Sequence, residues 1–354
     1  MIRMVAALAP LAVSAVYFFG WRVVAVLAVV HAAGLATEWI MARRRGAPIS
    51  MACFVTCMLY GLSLPPTVPM WIAVVGIVVA ILFGKEAFGG FGRNFANPAI
   101  VGRAFVYVCF PNELTSSFVP VFRGLPGGFA HWSFRSLSEV PAQLAGSGRS
   151  VVDAVSQATP QWVYKRFGEQ VVTRGASVWE LLFGHIGGTY EVEGTARVLS
   201  AGSMGEGCAV LIVLAGVYLL VTRTANWRLM ASGLFGVVAA NVLFRTILGF
   251  NGPEPGNVAP LALTLLAGST LYVVVFMVTD PVSAPKKSPA QLAYGAIIGF
   301  LVVVIRWRGV FVAAASFAVL MGNLIGPLLD IAAGWWQQRR KARAAEPAEG
   351  ASAS

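Results

Sequence analysis

The chain has 354 residues, of which 57% are hydrophobic and 12% are charged, and its mean hydropathy is +0.74. Soluble domains carry about 25% charged residues, so this composition excludes an ordinary soluble protein and indicates an integral membrane protein. The formal net charge of +11 does not indicate a nucleic-acid partner, because the basic residues cluster in short loops and at the C-terminal end rather than along one face.

The apolar segments predict an all-α membrane protein of about ten transmembrane helices. They cover residues 4–20, 23–41, 49–64, 69–84, 97–111, 203–222, 229–247, 258–279, 290–305 and 309–329. About 20 apolar residues are needed to cross a bilayer as a helix, and several of these segments are shorter. Short or Gly/Pro-interrupted spans are tolerated where the broken backbone lines a buried site or a cavity.

Four regions follow from this pattern. We expect a first membrane half over residues 1–111 and a polar extracytoplasmic loop over 112–202, between the fifth and sixth spans. A second membrane half covers 203–335, and a basic, disordered cytoplasmic tail covers 336–354.

The distribution of Lys and Arg predicts the orientation. A cytoplasmic N-terminus places most basic residues of the short loops inside, and the short outer loops then hold only Arg22, Arg245, Arg306 and Arg308. Under the positive-inside rule both termini are cytoplasmic and residues 112–202 lie outside. The first 20 residues could also pass for a signal peptide, but the next apolar run follows almost at once, which favours a span.

Cysteine and histidine are too sparse for a metal or haem site. The chain has four cysteines and three histidines: Cys53, Cys57, Cys109, Cys208, His31, His131 and His185. Cys53 and Cys57 stand one helical turn apart, but no second close pair or neighbouring histidine completes a site. A membrane cytochrome commonly needs histidine pairs within the bundle, and only His31 falls in a predicted span. We therefore expect no metal.

Two helix breaks resemble each other. "GKEAFGGFGRNFANPAIVGRAF" (84–105) and "VFMVTDPVSAPKK" (275–287) both end one span, turn, and open another. Asn94, Asn97 and Pro98 could cap and start a helix whose N–H groups face an anion or a polar ring edge. Such breaks either surround a bound cofactor or are plain capped connections, and the spacing leaves both interpretations open.

A polar stretch of the loop, "VVDAVSQATPQW" (151–162), has two interpretations. Asp and Ser readily form turns through their own backbone, so this is either an ordinary turn or a modification site. In the second interpretation the Thr159 hydroxyl carries a covalent group as a phosphoester. Asp153 and Ser156 would then position the incoming phosphate or its metal.

Four acidic residues stand in or at the ends of spans: Glu38, Glu206, Asp280 and Asp330. Ionisable groups within membranes often mark ion pathways, which makes them ion-pathway candidates. The alternative is structural, because Glu206 and Asp280 lie beside helix starts, where a carboxylate favours the dipole. Arg103 could pair with one of these acids or contact a cofactor oxygen, and the alternative is an arginine that snorkels to the membrane interface.

Five motifs occur in an order that resembles one family. They are "GKEAFGGFGRNFANPAIVGRAF", "DAVSQATP", "GSMGEG", "TDPVSA" and "GNLIGPLLD". Over about residues 49–343 the chain resembles the B subunit of the sodium-translocating NADH:quinone oxidoreductase and its homologue, the D subunit of the Rnf electron-transport complex.

The resemblance implies a membrane subunit of ten helices in two related halves, in the inner membrane of a bacterium, with residues 112–202 in the periplasm. FMN would be attached through a phosphoester to Thr159, within the motif that includes Asp153, Ser156 and Ala158, by a flavin transferase outside the cytoplasm. A second, non-covalent flavin (riboflavin) would lie deeper, towards the cytoplasm. Our candidates for its surroundings are Asn94, Asn97, Pro98, Arg103, Thr279, Asp280, Pro281 and Ser283.

The resemblance further implies electron relay coupled to Na⁺ or H⁺ movement, beside NADH- or ferredoxin-side iron–sulfur subunits. Gln157 stands where the flavinylation motif usually has glycine. The length of the chain fits the Rnf D subunit, whereas the 84–99 stretch fits the B subunit, so the type of complex and a quinone site stay open. The main alternative is a channel or solute transporter without a chromophore. A cytochrome and a hydrolase built on Ser156 fit less well.

Overall fold

The computed structural model describes residues 1–115, 118–133, 159–168, 177–187, 189–192, 195–309 and 314–345. In these ranges the chain is mainly helical, as the apolar segments predict. Six helices are long and apolar enough to cross a membrane, and three shorter apolar helices accompany them. The helical membrane architecture is therefore confirmed for the described residues, whereas the predicted number of ten spans stays a prediction.

The helices of the first half follow the predicted segments closely. They are α1 (Ile2–Phe19), α2 (Arg22–Arg44), α3 (Met51–Leu62), α4 (Met70–Gly84) and α5 (Pro98–Cys109). The start of α5 is fixed by its sequence, since the Asn97 side chain accepts a hydrogen bond from the Ala99 amide and Pro98 occupies the first helical position. Both residues suit a helix start.

The described part of the loop contains short elements. They are α6 (Pro111–Thr115), α7 (Pro160–Phe167), α8 (Val178–Phe183), β1 (Thr189–Val192) and β2 (Thr195–Val198). The strands form an antiparallel hairpin in which Thr189 pairs with Val198 and Val192 with Thr195. This short hairpin is an addition to the otherwise helical architecture that the apolar runs did not indicate.

The second half contains α9 (Ala209–Val221), α10 (Trp227–Val242), α11 (Leu261–Leu266), α12 (Thr270–Tyr272), α13 (Ser288–Arg308) and α14 (Ala314–Ala345). Wider π-type turns continue α10 over Leu243–Ile247 and α12 over Val273–Met277. Glycines let α10 and α13 approach closely: a Cβ on Gly236 would lie 2.2 Å from the Ala296 carbonyl oxygen. Small residues serve this purpose at helix interfaces in membranes.

Two predicted elements differ from the structure. The single span predicted over 258–279 is broken between α11 and α12, where Gly268 has a φ of +71°. The basic start of the tail predicted over 336–354 is helical as far as Ala345, because α14 continues through it. Alanine, arginine, lysine and glutamine, which dominate this stretch, are strong helix formers.

The two halves pack against each other through the middle of the molecule. Helix α1 contacts α9, α5 contacts α14, and α3 contacts the short 3₁₀ turn Met204–Glu206 that precedes α9. One continuous hydrophobic cluster runs through both halves and includes the fully buried rings of Tyr60, Tyr272 and Tyr294. This shared core brings helix ends from both halves together around two cavities.

Candidate functional site

Two cavities lie at opposite ends of α5. The first, the Thr159 cavity, encloses about 100 Å³ over the described residues. It is lined by Arg103, Tyr107, Phe118, Thr159, Pro160, Gln161, Trp162, Lys165, Ile186, Gly202, Ser203, Glu206, Ala267, Gly268, Ser269, Arg306 and Gly309. A second, the Asn97 cavity, encloses about 230 Å³. It is lined by Met1, Met4, Ala52, Val55, Thr56, Leu59, Lys85, Phe91, Asn94, Asn97, Pro98, Thr224, Ala225, Phe276, Thr279, Asp280, Pro281 and Val282.

Thr159 lies at the N-cap of α7, where Pro160 is the first helical residue. Its carbonyl accepts a hydrogen bond from the Val163 amide at 3.0 Å, while its side chain makes no capping bond. Thr159 therefore lines the cavity with a side chain that does not cap the helix. The other flavinylation-motif residues predicted from the sequence, Asp153, Ser156 and Ala158, lie outside the described residues.

Arg103 and Glu206 form a buried ion pair beside Thr159. Their side chains approach to 2.8 Å between Nη2 and Oε1, and Nη2 also donates to the Ser203 hydroxyl at 3.2 Å. Arg103 is 2% exposed and Glu206 is 6% exposed. The Tyr107 ring lies 5.5 Å from the guanidinium carbon. Arg103 was a candidate for the surroundings of the second flavin, but it lines the Thr159 cavity. It lies five residues along α5 from Pro98, or roughly 7.5 Å at 1.5 Å per residue.

Arg306 closes the break between α11 and α12. Its Nη1 donates to the carbonyls of Thr264 at 3.1 Å and Ala267 at 3.3 Å, and also contacts the Thr270 hydroxyl. These carbonyls have lost their helical partners at the break, and within a bilayer such groups must be satisfied by the protein. At Gly268 a Cβ would be strained by the positive φ and would lie 3.2 Å from Arg306 Nη2.

Lys165 on α7 completes the cationic wall of this cavity. Its ammonium donates to the Arg306 carbonyl at 3.3 Å and to the Gly309 carbonyl. Burial lowers the pKa of Lys165, because it disfavours the charged form. Sequence analysis missed Lys165 and Arg306 as site residues. Arg306 was counted as a topology signal, and its place beside the Gly268 break depends on tertiary packing that the sequence does not show.

The Asn97 cavity unites the two helix breaks that resemble each other in sequence. Asn94, Asn97 and Pro98 line it from the first break, and Thr279, Asp280 and Pro281 line it from the second. Ser283 is not among the residues that line the cavity. Its hydroxyl donates a hydrogen bond to Asp280 Oδ2 at 3.0 Å.

The polar groups of both breaks are held by local hydrogen bonds. Asn94 Nδ2 donates to the Ala96 carbonyl at 3.0 Å, and the Thr279 hydroxyl donates to the Val275 carbonyl at 2.7 Å. The Asp280 carboxylate also accepts from the Val282 amide at 3.0 Å. Burial raises the pKa of Asp280 against these hydrogen bonds, which lower it.

Lys85 and Glu38 form a second buried ion pair, at the edge of the Asn97 cavity. Lys85 Nζ donates to Glu38 Oε2 and to the Ser50 hydroxyl, both at 2.7 Å. Glu38 Oε1 accepts from the Ser50 amide at 2.9 Å and from its hydroxyl at 2.8 Å. Glu38, an ion-pathway candidate, is therefore fully engaged with neighbours in this structure.

Asp330 lies apart from both cavities. Its carboxylate accepts hydrogen bonds from the backbone amides of Lys286 and Lys287 at 2.9–3.1 Å, immediately before α13. It thereby caps that helix from a neighbouring one, which accounts for its position without an ion. Among the described residues no group of three or more His, Cys, Asp or Glu side chains could hold a metal ion.

Comparison with known proteins agrees with the motifs. The NQR2, RnfD, RnfE family model matches residues 1–334. The B subunit of the Na⁺-translocating NADH-quinone reductase from Chromohalobacter salexigens is 32% identical over 85% of this chain, and that from Azotobacter vinelandii is 33% identical over 83%. The D subunit of the ion-translocating oxidoreductase complex from Shewanella amazonensis is 32% identical over 92% of the chain.

The chain spans 62–63% of the length of those two reductase subunits and 88% of the Shewanella protein. Because the family model covers nearly the whole chain and the apolar helices fit a multi-pass membrane protein, this protein is a member of the NQR2, RnfD, RnfE family.

Proposed function

We propose that this chain is a membrane flavoprotein subunit of an ion-translocating electron-transport complex and carries FMN covalently on Thr159. The observation that carries the proposal is the position of Thr159, at a helix N-terminus and on a cavity walled by Arg103, Lys165 and Arg306. Its relatives are named as subunits of sodium- or ion-translocating oxidoreductases, which supports a redox-driven translocase.

The residues present fit a phosphoester at Thr159. The first amides of a helix have no intrahelical partners, and the helix dipole favours a negative charge there. A phosphate on the Thr159 hydroxyl would sit at that end of α7, an arrangement common for bound phosphates. Lys165, further along α7, adds a positive charge beside the same cavity.

We further propose that the Asn97 cavity holds the second, non-covalent flavin. It encloses about 230 Å³ between the two helix breaks. Its walls combine apolar side chains with amide and hydroxyl groups, as in pockets for planar cofactors. A flavin would supply the electron chemistry, whereas Asn97, Thr279 and their neighbours would orient it and shield it from water.

Helix α5 would link the two sites. Pro98 lines one cavity and Tyr107 the other, and nine residues of α-helix separate them by roughly 13 Å. The broken segment also reaches both cavities, since Ser269 lines the Thr159 cavity and Phe276 lines the Asn97 cavity. In this arrangement the chain would hold two electron carriers at fixed positions, one in each cavity.

We also propose an orientation of the chain in the membrane. The protein would span the inner membrane of a bacterium, with both termini and the Asn97 cavity facing the cytoplasm. Residues 112–202, which include Thr159, would face the periplasm, where a flavin transferase acts. Partner subunits would supply NADH- or ferredoxin-side iron–sulfur chemistry.

For the translocated Na⁺ or H⁺, Asp280 is the strongest candidate among the four acids, since it lines a cavity, whereas Glu206 lines the other cavity but is paired with Arg103. Glu38 and Asp330 make structural contacts that account for their positions.

The test is flavin fluorescence in a denaturing gel. Protein made together with a competent flavin transferase should give a fluorescent band, and Thr159→Ala should remove it completely. Thr115→Ala is the matched control, because that exposed hydroxyl only donates to the Pro111 carbonyl. A dark wild-type band, or a bright Thr159→Ala band, contradicts the proposal and favours a channel or solute transporter.

A further inference from the structure

Arg103 keeps unused hydrogen-bond donors in a buried position. Its Nη2 serves both Glu206 and Ser203, but Nε and Nη1 have no hydrogen-bond partner among the described residues. A buried donor without a partner loses its hydrogen bonds to water and gains none from the protein, and this cost is larger when the donor is charged. Native proteins retain such groups where something else binds, and Arg103 lines the Thr159 cavity.

The ion pair with Glu206 fixes the direction of these donors. The carboxylate occupies one side of the planar guanidinium, and the Tyr107 ring lies against it at 5.5 Å. Because the guanidinium donors form a rigid fork, holding Nη2 also holds Nε and Nη1 in place. The pair therefore holds in place two N–H groups that have no acceptor among the described residues, on a side chain that lines the cavity.

The chemistry of that acceptor follows from the other residues of the cavity. A phosphate on Thr159 would be bound at the start of α7, so Arg103 is left for a different part of the same molecule. A flavin ring presents adjacent acceptors at N1 and the C2 carbonyl of its pyrimidine edge. Negative charge gathers at these atoms when the ring is reduced.

We propose that Arg103, positioned by Glu206, binds the N1 and C2-carbonyl edge of a flavin tethered to Thr159 and thereby raises the midpoint potential of that flavin. This inference rests on the proposed function. Reduction adds electrons to the ring from a donor elsewhere in the complex. The guanidinium keeps its proton, so it stabilises the added charge without entering the reaction.

The two partners should act with opposite signs. Arg103→Gln removes the positive charge and should shift the midpoint potential of the covalent flavin to more negative values. Glu206→Gln leaves Arg103 unneutralised and should shift it to more positive values. The potential is measured by spectroelectrochemical titration of the holoprotein, after gel fluorescence has verified the covalent flavin.

Two further variants keep the test decisive. The double variant Arg103→Gln/Glu206→Gln leaves no unpaired buried charge and should give a potential between those of the single variants. Arg123→Gln is the matched control, because Arg123 pairs with Glu180 at 3.7 Å on an exposed surface and should leave the potential unchanged.

The outcomes separate this inference from the proposed function. Shifts of the same sign in both single variants, or fluorescent variants with wild-type potentials, overturn the role of Arg103 and leave the flavin on Thr159 intact. An absence of covalent flavin in wild-type protein made with a competent transferase overturns both.

Discussion

Each of the two cavities is bordered by a buried ion pair, but the two pairs differ in what they leave free. Lys85 is engaged by Glu38 and Ser50, and Glu38 in turn is engaged by Ser50. Arg103 uses one nitrogen for Glu206 and Ser203 and leaves two without a hydrogen-bond partner among the described residues. Both cations are 2% exposed, so burial alone does not explain the difference.

Spare hydrogen-bond donors distinguish a buried ion pair that binds a ligand from one that is only structural. A pair whose donors and acceptors are satisfied within the protein holds helices together, so a structural role accounts for it. A pair with spare donors on a cavity indicates a ligand, since the protein bears the desolvation cost without a compensating bond of its own. Lys85–Glu38 belongs to the first kind and Arg103–Glu206 to the second.

Removing Lys85 should give the largest loss of stability. Lys85→Met leaves Glu38 buried without its counter-charge, and breaking such a pair costs about 3 kcal/mol or more. We expect a clearly lower thermal unfolding temperature in detergent, with the covalent flavin and its potential retained. The double variant Lys85→Met/Glu38→Gln should recover most of the loss. An unchanged unfolding temperature for Lys85→Met would contradict the stabilising role of the Lys85–Glu38 pair.

Two helix caps separate stability from cofactor binding. Asn97 caps α5 at the cavity and Asn226 caps α10, each accepting from the amide two residues on at 3.0 Å. Replacing either with alanine should cost about 1 kcal/mol of stability. Only Asn97→Ala should also lower the amount of non-covalent flavin released from purified protein by acid. Equal flavin loss in both variants would mean that the Asn97 cavity does not bind it.

The smallest expected effect is a pH dependence from Asp280. Its pKa in the folded protein lies above the ordinary value of 3.8, because burial opposes ionisation. The folded state therefore holds this proton more tightly than the unfolded state. Stability should decline as the pH rises from the ordinary pKa through the raised one. Asp280→Asn, which cannot ionise, should lack that part of the decline in thermal unfolding scans. Identical profiles for the two proteins would contradict the assignment.

Sequence patterns could predict the helices and one of the two cavities. Apolar runs located the membrane helices, and Asn97 followed by Pro98 identified the start of α5, because capping is a local property. The two breaks at 84–105 and 275–287 were predicted to surround one site, and six of their candidate residues do line one cavity.

The walls of the Thr159 cavity were not predictable in the same way. Lys165, Arg306 and Ser269 reach it from a loop helix, a helix end and a helix break that are far apart in sequence. Nothing local marks such residues as neighbours, since only tertiary packing brings them together. The pairing of Arg103 with one of the acids was foreseen, but its partner Glu206 and its spare donors are visible only in three dimensions.

The most direct measurement is the mass of the proteolytic peptide that contains Thr159, from protein made together with a competent flavin transferase. We expect a mass increased by one FMN less one water, with fragmentation assigning the group to the Thr159 hydroxyl. An unmodified Thr159 in that preparation would contradict covalent attachment of the flavin.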